Sequence, residues 1–512
     1  MELGQSFCFD DILMEPLLSS INSRKNINLN INIGTNGRTL VLKTPLISSP
    51  MDTVTETDMA IHMALNGGLG IIHRYMSIEE EVAQVSKVKR HLQYIISEPY
   101  TIGPYATCDD VVKMQDEHGV SSFCVVEEDN KFLGIITRRD IEYMQHCNGL
   151  GGSCMGSAGG KLCKNVSGFM NKEIIKFDMM DAAYSLENTL RLAKELMLEN
   201  KIQKIPLLRN GKLHGLITLK NIKHYEDNKS KACIDSNGAL CVGASVGIIG
   251  DYLERLDALV VAGVDLVCID VANGFNTNVF NVIKTIRTKY PKLVLMVGNV
   301  CNWQGYAALC EYDVDCIRVG VGNGSICTTR LETGIGKGQF SAVSECFRYK
   351  NVNACAPNII CDGGSLGKNG NKAKALASGA SAFMLGRTLA STEESPGTII
   401  YRNGKRFKYI RGMASTMATL SKQEKTNDEG VKSGSKRKRG NIHSEGVDGE
   451  QELSGSVVDV LEQINGSLKS SMSYLGCCNI GELHEKNKNG EIKFNLVTSI
   501  GMSETGIRVK TY

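Results

Sequence analysis

The sequence of 512 residues predicts an α/β fold, a (β/α)₈ barrel into which a second domain is inserted. Three observations carry this prediction. Short apolar segments alternate with helical segments over most of the chain, an order that favours a parallel sheet. Two similar segments interrupt that alternation early in the chain. The length also exceeds the roughly 250–300 residues at which a single hydrophobic core stops growing, so more than one domain is expected.

Residues 1–90 contain the first elements of the predicted barrel. The apolar pair Leu46 and Ile47 lies between prolines and is followed by a polar turn, as expected for a short strand that leads into an active-site loop. A helix is predicted over residues 58–66 and a second strand over residues 67–73. Together these elements form one β-α-β unit.

Residues 91–227 follow a different pattern, in which one unit occurs twice. Each copy contains a strand, a turn, a second strand ending in Gly-(Ile/Leu)-Ile-Thr and the start of a helix, over residues 124–141 and 205–222. Repetition at a spacing of about 80 residues predicts a duplicated module. The Gly- and Ser-rich residues 147–160 predict a flexible linker between the copies.

Residues 228–512 resume the alternation and complete the predicted barrel. Helices are predicted over residues 251–262 and 279–289. Strands are predicted over residues 240–246, 266–270, 294–299, 316–321, 359–362 and 382–386. Because the catalytic groups of such barrels lie at the carboxyl ends of the strands, the residues just after these segments are candidates for the site. Residues 415–449 are polar and lack apolar periodicity, which predicts a loop that exposes the basic run 436–439 to solvent.

The composition excludes several classes of function. A formal net charge of +3 is too near neutrality to predict nucleic-acid binding, and no run of 18 or more apolar residues predicts a membrane span. The first residues lack the basic and apolar regions of a secretory signal, so a cytoplasmic protein is expected. The 18 cysteines form no C-x-x-C pair, and the nearest to a cluster, Cys147, Cys154 and Cys163, have no histidine at ligand spacing. Free thiols in a reducing compartment are therefore expected.

Residues 320–330 contain the candidate nucleophile. The glycines Gly320, Gly322 and Gly324 permit a tight turn and a close approach of the backbone to a ligand. Cys327 lies just past the predicted strand end, among hydroxyl side chains. A thiolate in such a position can act as a nucleophile, whereas the alternative is a structural cysteine in a loop.

Residues 320–330, with residues 334–339 after them, resemble the catalytic cysteine loop of the IMP dehydrogenase and GMP reductase family. The resemblance covers nearly the whole chain, from residues 9–13 to residues 503–506. It implies a TIM barrel with an inserted tandem CBS (Bateman) domain that binds adenine or guanine nucleotides. It also implies a homotetramer or octamer.

The resemblance implies domain boundaries as well. The barrel is expected to comprise residues 1–90 and 228–512, and the CBS pair residues 91–227. Within the second part of the barrel, residues from about 415 to 449 are expected to form a mobile flap, as long segments without secondary structure in enzymes often do.

The site residues follow from the same resemblance. Cys327 would attack C2 of a purine nucleotide, and Thr329 would handle protons there. The residues implied for the nucleotide are Ser49 in the substrate site, Ser325, Gly364 and Gly386 at the 5′-phosphate, Asp362 at the ribose hydroxyls, and Gly412, Met413 and Glu445 at the purine edge. The residues implied for the nicotinamide cofactor are Asp270, Asn299, Gly320 and Gly322. A monovalent cation, potassium, would be held by Gly322, Gly324 and Cys327 together with Glu504, Thr505 and Gly506 of a neighbouring subunit. For Asp362 the residues alone leave open a second role, that of a helix N-cap.

Two reactions remain open. An IMP dehydrogenase converts IMP, NAD⁺ and water to XMP and NADH, whereas a GMP reductase converts GMP and NADPH to IMP and ammonia. The CBS pair and the segments 49–56, 392–397 and 406–413 resemble a dehydrogenase. The architecture makes IMP dehydrogenase the expected activity, with NAD as cofactor, or NADP if the enzyme is a reductase.

Other features favour the reductase. Dehydrogenases of the family have an adjacent Arg-Tyr pair in the flap, but the flap of this chain has no tyrosine, and Arg437 and Arg439 are its candidate bases. The segments 270–274 and 329–334 also resemble a reductase. Against it, Thr416 follows Gly-Met where a reductase glutamate is expected. A third alternative is a non-catalytic relative that senses nucleotides.

Overall fold

The protein is described by a computed structural model, which covers residues 4–92, 94–120, 122–149, 165–178, 186–353, 356–418, 444–498 and 501. The chain forms two compact units. The first consists of Met1–His91, Lys231–Asp235 and Ala239–Tyr512, and the second of Leu92–Ser230 and Ser236–Gly238. The predicted divisions lay at residues 91 and 227.

The first unit is a closed barrel of eight parallel strands, which confirms the predicted fold class. In chain order the strands are β1 (Leu46–Ser48), β2 (Leu69–Ile72), β3 (Gly243–Val246), β4 (Leu266–Asp270), β5 (Val294–Val300), β6 (Cys316–Val319), β7 (Asn358–Asp362) and β8 (Ala382–Leu385). Each strand pairs with its successor, and β8 pairs with β1 to close the barrel. The strands are apolar along their length rather than alternating, because both faces of the barrel wall are buried.

Helices follow the strands around the barrel. They are α1 (Thr57–Leu65), α2 (Ile78–Arg90), α3 (Tyr252–Val261), α4 (Thr277–Lys289), α5 (Trp303–Cys310), α6 (Gln339–Asn351), α7 (Asn369–Ala377) and α8 (Val457–Tyr474). Local sequence fixes several starts: Ser77 and Glu80 form a reciprocal capping box at α2, and the Asn302 side chain caps α5. Further helical segments are Phe9–Asp11, Arg24–Asn26, Thr329–Thr333, Arg387–Ala390 and Ile480–Lys488.

The amino end of the barrel is closed by an antiparallel pair, Ile31–Asn32 with Val41–Leu42. Side chains from this pair and from the strands form one buried cluster that includes Ile33, Leu42 and Ile71. A packed amino end leaves the carboxyl ends of the strands as the open face of the barrel, where ligands bind in this architecture.

A small antiparallel sheet follows β8. Its strands are Ile399–Arg402, Lys405–Arg411 and Asp448–Glu452, in that order. The last strand corrects part of the predicted flap, because Asp448 and Gly449 pair with Arg411 and Ile410 instead of belonging to a loop. Residues 419–443 of the predicted flap lie outside the described residues. A separate two-stranded pair joins Ile12–Met14 to Phe494–Leu496.

The second unit contains two three-stranded sheets. One consists of Thr101–Ile102, Phe123–Val126 and Phe132–Ile136, and the other of Phe177–Asp178, Lys204–Arg209 and Lys212–Thr218. The helices of this unit are Cys108–His118, Arg138–Gly149 and Leu186–Glu199, with Leu219–Lys229 after the second sheet and the turn Val166–Gly168. The predicted linker begins at residue 147 inside a helix, and its residues 150–160 lie outside the described residues.

Two further features are absent from the described residues. No helix within them is both long and apolar enough to cross a membrane. No group of three or more His, Cys, Asp or Glu side chains within them is placed to hold a metal ion. Cys147 is a free, buried thiol, and Cys154 and Cys163 fall outside this part of the chain.

Candidate active site

The loop after β6 begins with a glycine that no other residue could replace without rearrangement. Gly320 has φ +145°, and a Cβ atom there would lie 2.4 Å from the carbonyl oxygen of Asp362. Gly322 has φ +71°, a left-handed conformation that glycine adopts at little cost. These angles end the strand at Val319, two residues before the predicted end at Val321. The chain is thereby turned so that the segment to Cys327 lies over the barrel mouth.

Cys327 takes part in a short chain of polar groups. Its Sγ lies 3.1 Å from Oγ1 of Thr329, and that hydroxyl donates a 2.8 Å hydrogen bond to Oε2 of Glu445. Because the Thr329 hydroxyl donates its hydrogen to the Glu445 carboxylate, its Oγ1 can accept a proton from the side that faces Cys327 Sγ. The arrangement can therefore carry a proton between the region of the thiol and a carboxylate.

Backbone hydrogen bonds hold Glu445 in this position, although 116 residues separate it from Thr329. The Glu445 carbonyl accepts a bond from the Thr328 N–H at 2.9 Å, and the Glu445 N–H donates to the Ala414 carbonyl at 3.1 Å. The Gly412 N–H donates to the Val447 carbonyl at 3.1 Å. The predicted purine-edge segment, Gly412 and Met413, is thus attached to the same segment that carries Glu445.

A cavity opens next to the cysteine loop, at the carboxyl ends of β7, β8 and β1. It brings together five of the predicted substrate residues, namely Ser49, Ser325, Asp362, Gly364 and Gly386. Further lining residues include Asn323, Ile326 and Arg387. The polar groups converge from four strand ends, those of β6, β7, β8 and β1, as in a small-molecule site.

Arg318 is a member of the site that the sequence analysis missed. It lies inside β6 and is 5% exposed. Its Nη1 donates to Oδ1 of Asp270 at 2.5 Å and its Nη2 to Oδ2 of Asp362 at 2.8 Å. A charge in the middle of an apolar strand was the available signal, since a buried cation needs anionic partners.

The same network contains Asn299 and bears on the alternative role of Asp362. The Asn299 Nδ2 donates to Oδ2 of Asp362 at 2.7 Å and to the Gly320 carbonyl at 2.8 Å. The alternative prediction, that Asp362 is a helix N-cap, is wrong, because the cap of the next long helix, α7, is Lys368. The predicted cofactor residues Asp270, Asn299 and Gly320 therefore lie in one hydrogen-bonded group with the predicted ribose ligand.

A second group fixes the purine-edge segment to the loop after β1. Arg411 donates through Nε to Oδ2 of Asp52 at 2.8 Å, and the Asp52 N–H lies 3.4 Å from Sδ of Met413. The Tyr75 hydroxyl donates to the Met413 carbonyl at 3.0 Å, and burial raises the pKa of this phenol. No local sequence signal indicated these contacts, which join residues more than 300 positions apart.

Cys327 differs from the thiols of the barrel wall. Cys268 is fully buried in β4, and burial raises its pKa to about 12. Burial also raises the pKa of Cys361 in β7. Such thiols stay protonated and inert, whereas Cys327 is partly exposed beside the cavity.

Part of the predicted site is not covered by the structure. Glu504, Thr505 and Gly506 of the predicted cation site and the flap arginines Arg437 and Arg439 lie outside the described residues. Of the predicted cation ligands, Gly322, Gly324 and Cys327 are present in one loop, where the Cys327 N–H donates to the Gly324 carbonyl at 3.1 Å.

A thiol, a cavity and converging polar groups at the carboxyl ends of the strands define a (β/α)₈ enzyme with a small-molecule substrate. Comparison with known proteins narrows this class. The family model described as "IMP dehydrogenase / GMP reductase domain" matches residues 6–508. The chain belongs to the IMP dehydrogenase/GMP reductase family and is an NAD(P)-dependent oxidoreductase.

Individual relatives agree with this membership. The chain is 36% identical over 491 residues to the inosine-5′-monophosphate dehydrogenase of Nitrosopumilus maritimus, covering 95% of each protein. It is 37% identical over 506 residues to that of Bacillus subtilis, covering 98% of this chain and 95% of the relative. Among solved structures, GMP reductase from Trypanosoma brucei in complex with guanosine 5′-monophosphate matches with a TM-score of 0.80 and 32% identity over 99% of each chain. The predicted family is confirmed.

Proposed function

We propose that the protein is an IMP dehydrogenase, which oxidises IMP with NAD⁺ and water to XMP and NADH. The observation that carries the proposal is the chain from Cys327 through Thr329 to Glu445 next to the cavity at the carboxyl ends of the strands. The names of the N. maritimus and B. subtilis relatives support the same activity. Both relatives also align with this chain over nearly their full length, which supports the same activity.

The chemistry begins at the thiol. The Cys327 thiolate adds to C2 of IMP, and the electron pair of the C2=N3 double bond moves to N3. Loss of a hydride from C2 then restores that double bond and leaves a thioimidate. A bound nicotinamide supplies the acceptor for that hydride. Water then adds to C2 and the C2–S bond breaks, which returns the thiolate and gives XMP.

Thr329 and Glu445 have a defined task in the second half of this sequence. The attacking water must lose a proton as it adds to C2. Thr329 can accept that proton on Oγ1 while it passes its own to the Glu445 carboxylate, 2.8 Å away. Apart from Glu445, at the end of the predicted flap, the relay uses no flap residue, and it would compensate for the missing Arg-Tyr pair without Arg437 or Arg439.

The cavity residues are proposed to hold the nucleotide. Ser325, Gly364 and Gly386 would contact the 5′-phosphate through hydroxyl and backbone N–H groups, with Ser49 beside Gly386. Asp362 would accept hydrogen bonds from the ribose hydroxyls. The Asp362 side chain is 19% exposed, so it is not consumed by its bonds to Arg318 and Asn299. Gly412, Met413 and Glu445 would bind the purine edge.

The nicotinamide cofactor is proposed to lie on the Asp270 side of the network. Asp270 shares one carboxylate oxygen with Arg318 while its side chain stays 21% exposed, so the second oxygen can accept bonds from ribose hydroxyls. Asn299, Gly320 and Gly322 line the approach to Cys327. These residues fit NAD, because none of them has a basic side chain that could bind the extra phosphate of NADP.

Potassium is proposed as an activating cation. The carbonyl groups of Gly322, Gly324 and Cys327 occur in one tight loop, and carbonyl oxygens are hard ligands suited to such ions. We expect turnover to depend on potassium and to fall when sodium replaces it at equal ionic strength. Equal rates in both salts would contradict a specific cation site.

GMP reductase is the second candidate. The Thr329–Glu445 pair also fits it, since a protonated Glu445 could deliver a proton through Thr329 to departing ammonia. The similarity to the T. brucei GMP reductase structures and the absence of a flap tyrosine support this reading. The reductase would bind GMP and NADPH at the same residues.

One paired assay distinguishes the candidates. The purified protein is mixed with IMP, NAD⁺ and potassium in one cuvette and with GMP and NADPH in another, and absorbance at the reduced-nicotinamide band is followed. A rise in the first, with XMP formed, is the expected result. A fall in the second, with ammonia released and no change in the first, would establish the reductase instead. The Cys327→Ala variant serves as the control in both cuvettes.

We also propose that Leu92–Ser230 is a tandem CBS domain that binds adenine or guanine nucleotides and regulates the barrel. Its two sheets with similar strand-turn-strand-helix units support this. Replacing residues 92–230 with a Gly/Ser linker should leave kcat within about twofold, because the catalytic groups belong to the other unit. Sensitivity to added ATP or GTP should be lost. An insoluble product would argue against this division, and unchanged sensitivity would argue against the regulatory role.

A homotetramer or octamer in the cytoplasm is the proposed working state.

A further inference from the structure

A buried amide beside the cysteine loop has no role in the proposed chemistry. Gln339 is the first residue of α6 and is 1% exposed. Its Nε2 donates to the Val319 carbonyl at 2.7 Å. The same nitrogen lies 3.3 Å from the Asp362 carbonyl and 3.3 Å from Sγ of Cys361. Because Val319 ends β6 and Asp362 ends β7, one side chain connects the carboxyl ends of two neighbouring strands.

The loops that leave these two strand ends pass directly against Gln339. A Cβ atom on Gly320, where the cysteine loop begins, would lie 2.9 Å from Nε2 of Gln339. A Cβ atom on Gly364, in the loop after β7, would lie 2.8 Å from Cγ of Gln339. Only glycine allows both backbones to come this close. The Gln339 side chain therefore sets the distance between the backbone that leads to Cys327 and the backbone that follows Asp362.

The other polar atom of the Gln339 amide is left without a hydrogen bond. Its Oε1 is buried, and no donor among the described residues bonds to it. A buried acceptor in this state costs about 1–3 kcal/mol. The opposite orientation of the amide would be worse, because Oε1 would then face the carbonyl oxygens of Val319 and Asp362. A methionine would fill the same space without this cost, so packing alone does not explain an amide here, whereas its bonds to the two strand ends do.

We propose that Gln339 is a positioning residue for the covalent step, which holds the cysteine loop at a fixed distance from the Asp362 loop so that Sγ of Cys327 meets C2 of the bound nucleotide. The inference rests on the proposed function, because it assumes a nucleotide held at Asp362 and attack by Cys327. It applies equally to a dehydrogenase and to a reductase. Bond formation needs the reacting atoms about 3–3.5 Å apart, and a misplacement of about 1 Å costs about 10²-fold in rate.

The test separates nucleotide binding from the covalent step. Gln339→Met keeps the length of the side chain but removes the donor, and Gln339→Asn keeps an amide that is one methylene shorter. Affinity for IMP and GMP is measured by calorimetry. The rate of adduct formation on Cys327 is measured by acid quench during the first turnover, with IMP and NAD⁺ or with GMP and NADPH, whichever pair the wild type converts. We expect both variants to lose about 10²-fold in the adduct rate and in kcat, while the nucleotide Kd changes by less than about threefold.

Tyr306→Phe is the matched control. It removes another buried donor to a backbone carbonyl, that of Pro357 just before the amino end of β7. A general weakening of the barrel should lower the thermal unfolding midpoint in this variant as in the Gln339 variants. Its kcat and adduct rate should nevertheless stay those of the wild type.

The outcomes separate the inference from the proposed function. A wild-type adduct rate in both Gln339 variants would overturn the inference, as would a loss of the same size in Tyr306→Phe. Insoluble protein from both Gln339 variants would assign the residue to folding and would also overturn it. In each of these cases the wild type still turns over, so the proposed function stands. A wild type that forms no adduct on Cys327 with either pair of substrates would contradict the proposed function itself.

Discussion

The two ends of the barrel carry charged clusters of opposite design. At the amino end, Asp315 precedes β6 and is completely buried. Its Oδ1 accepts a bond from Arg38 Nε at 2.8 Å and its Oδ2 one from Arg287 Nη2 at 2.6 Å. The N–H groups of Thr35 and Leu295 donate to the same carboxylate at 2.8 and 2.9 Å. Every acceptor site of this anion is used within the protein.

At the carboxyl end the arrangement is inverted. One buried cation, Arg318, lies between two carboxylates, Asp270 and Asp362. The cluster keeps a surplus negative charge, and both carboxylates remain about one-fifth exposed, at 21% and 19% of their side chains. These acceptors are oriented by the protein but left with capacity for a ligand.

This contrast predicts that the amino-end cluster contributes to stability and the carboxyl-end cluster to ligand binding. A cluster whose groups are all satisfied internally can only hold the fold together. A cluster that orients its side chains but leaves carboxylate oxygens able to accept further hydrogen bonds is suited to binding a ligand. The Arg318 cluster lies at the end of the barrel where such enzymes bind their substrates. Substitutions at the two ends should therefore separate into effects on turnover and effects on unfolding.

The largest expected effect is that of Cys327→Ala at the carboxyl end. Turnover should fall by at least about 10³-fold, because no other group can form the bond to C2. Nucleotide binding and the thermal unfolding midpoint should stay close to those of the wild type. The matched control is Cys301→Ala, which removes a partly exposed thiol near the same face and should keep full activity. Retained turnover in Cys327→Ala would refute the covalent mechanism.

Glu445→Gln should have the next largest effect. Loss of the proton acceptor beside Thr329 should lower kcat by about 10²-fold, within the usual range for acid–base groups. In a dehydrogenase the relay acts after hydride transfer, so rapid mixing should still give a burst of NADH equal to the enzyme concentration. Glu450→Gln on the neighbouring surface strand is the control. A variant that loses the burst as well would show that Glu445 acts mainly in the hydride step or in its proposed contact with the purine edge, and not in the proton relay.

At the amino end, Asp315→Asn should affect stability. It leaves two largely buried guanidinium groups with only the half-exposed Asp313 as an anion, and removing one partner of a buried pair costs about 3–5 kcal/mol of unfolding free energy. Asp313→Asn should cost no more than about 1 kcal/mol, because that side chain is 47% exposed. Urea denaturation measures both. A strong loss of kcat in the folded fraction of Asp315→Asn would contradict the expectation that the amino end affects stability and not turnover.

The smallest expected effect is a pH dependence at the amino end. The His484 Nε2 lies 3.0 Å from the Ala380 carbonyl, just before β8, and burial together with nearby Lys350 lowers the His484 pKa to about 4. An unfolded chain binds this proton near pH 6.5, so stability is fully present above that pH and is lost as the pH falls towards 4. The contribution lost between pH 7.5 and 5 should be about 2 kcal/mol.

His484→Gln provides the check on this pH dependence, since its amide can still donate to the Ala380 carbonyl. Urea denaturation at the two pH values should show a shallower loss of stability in the variant than in the wild type. Equal losses in both proteins would assign the acid sensitivity to other groups.

The barrel could be predicted from the sequence because each strand and helix carries its own local pattern. The apolar segments of β3 to β8 and the glycines after β6 are visible residue by residue. The chain from Cys327 to Glu445 could be named only by resemblance, because its hydrogen bonds join loops more than a hundred residues apart. Arg318 was visible as a charge in an apolar strand, but its partners depend on barrel closure. Nothing in the local sequence near Tyr75 indicated its bond to Met413.

One measurement tests the central claim most directly. The protein is mixed with IMP and NAD⁺, quenched in acid within the first turnover, digested, and its cysteine peptides are analysed by mass spectrometry. The account predicts a purine nucleotide adduct on the peptide that contains Cys327 and on no other cysteine peptide. An adduct on another cysteine, or turnover without any adduct in the quenched sample, would contradict it.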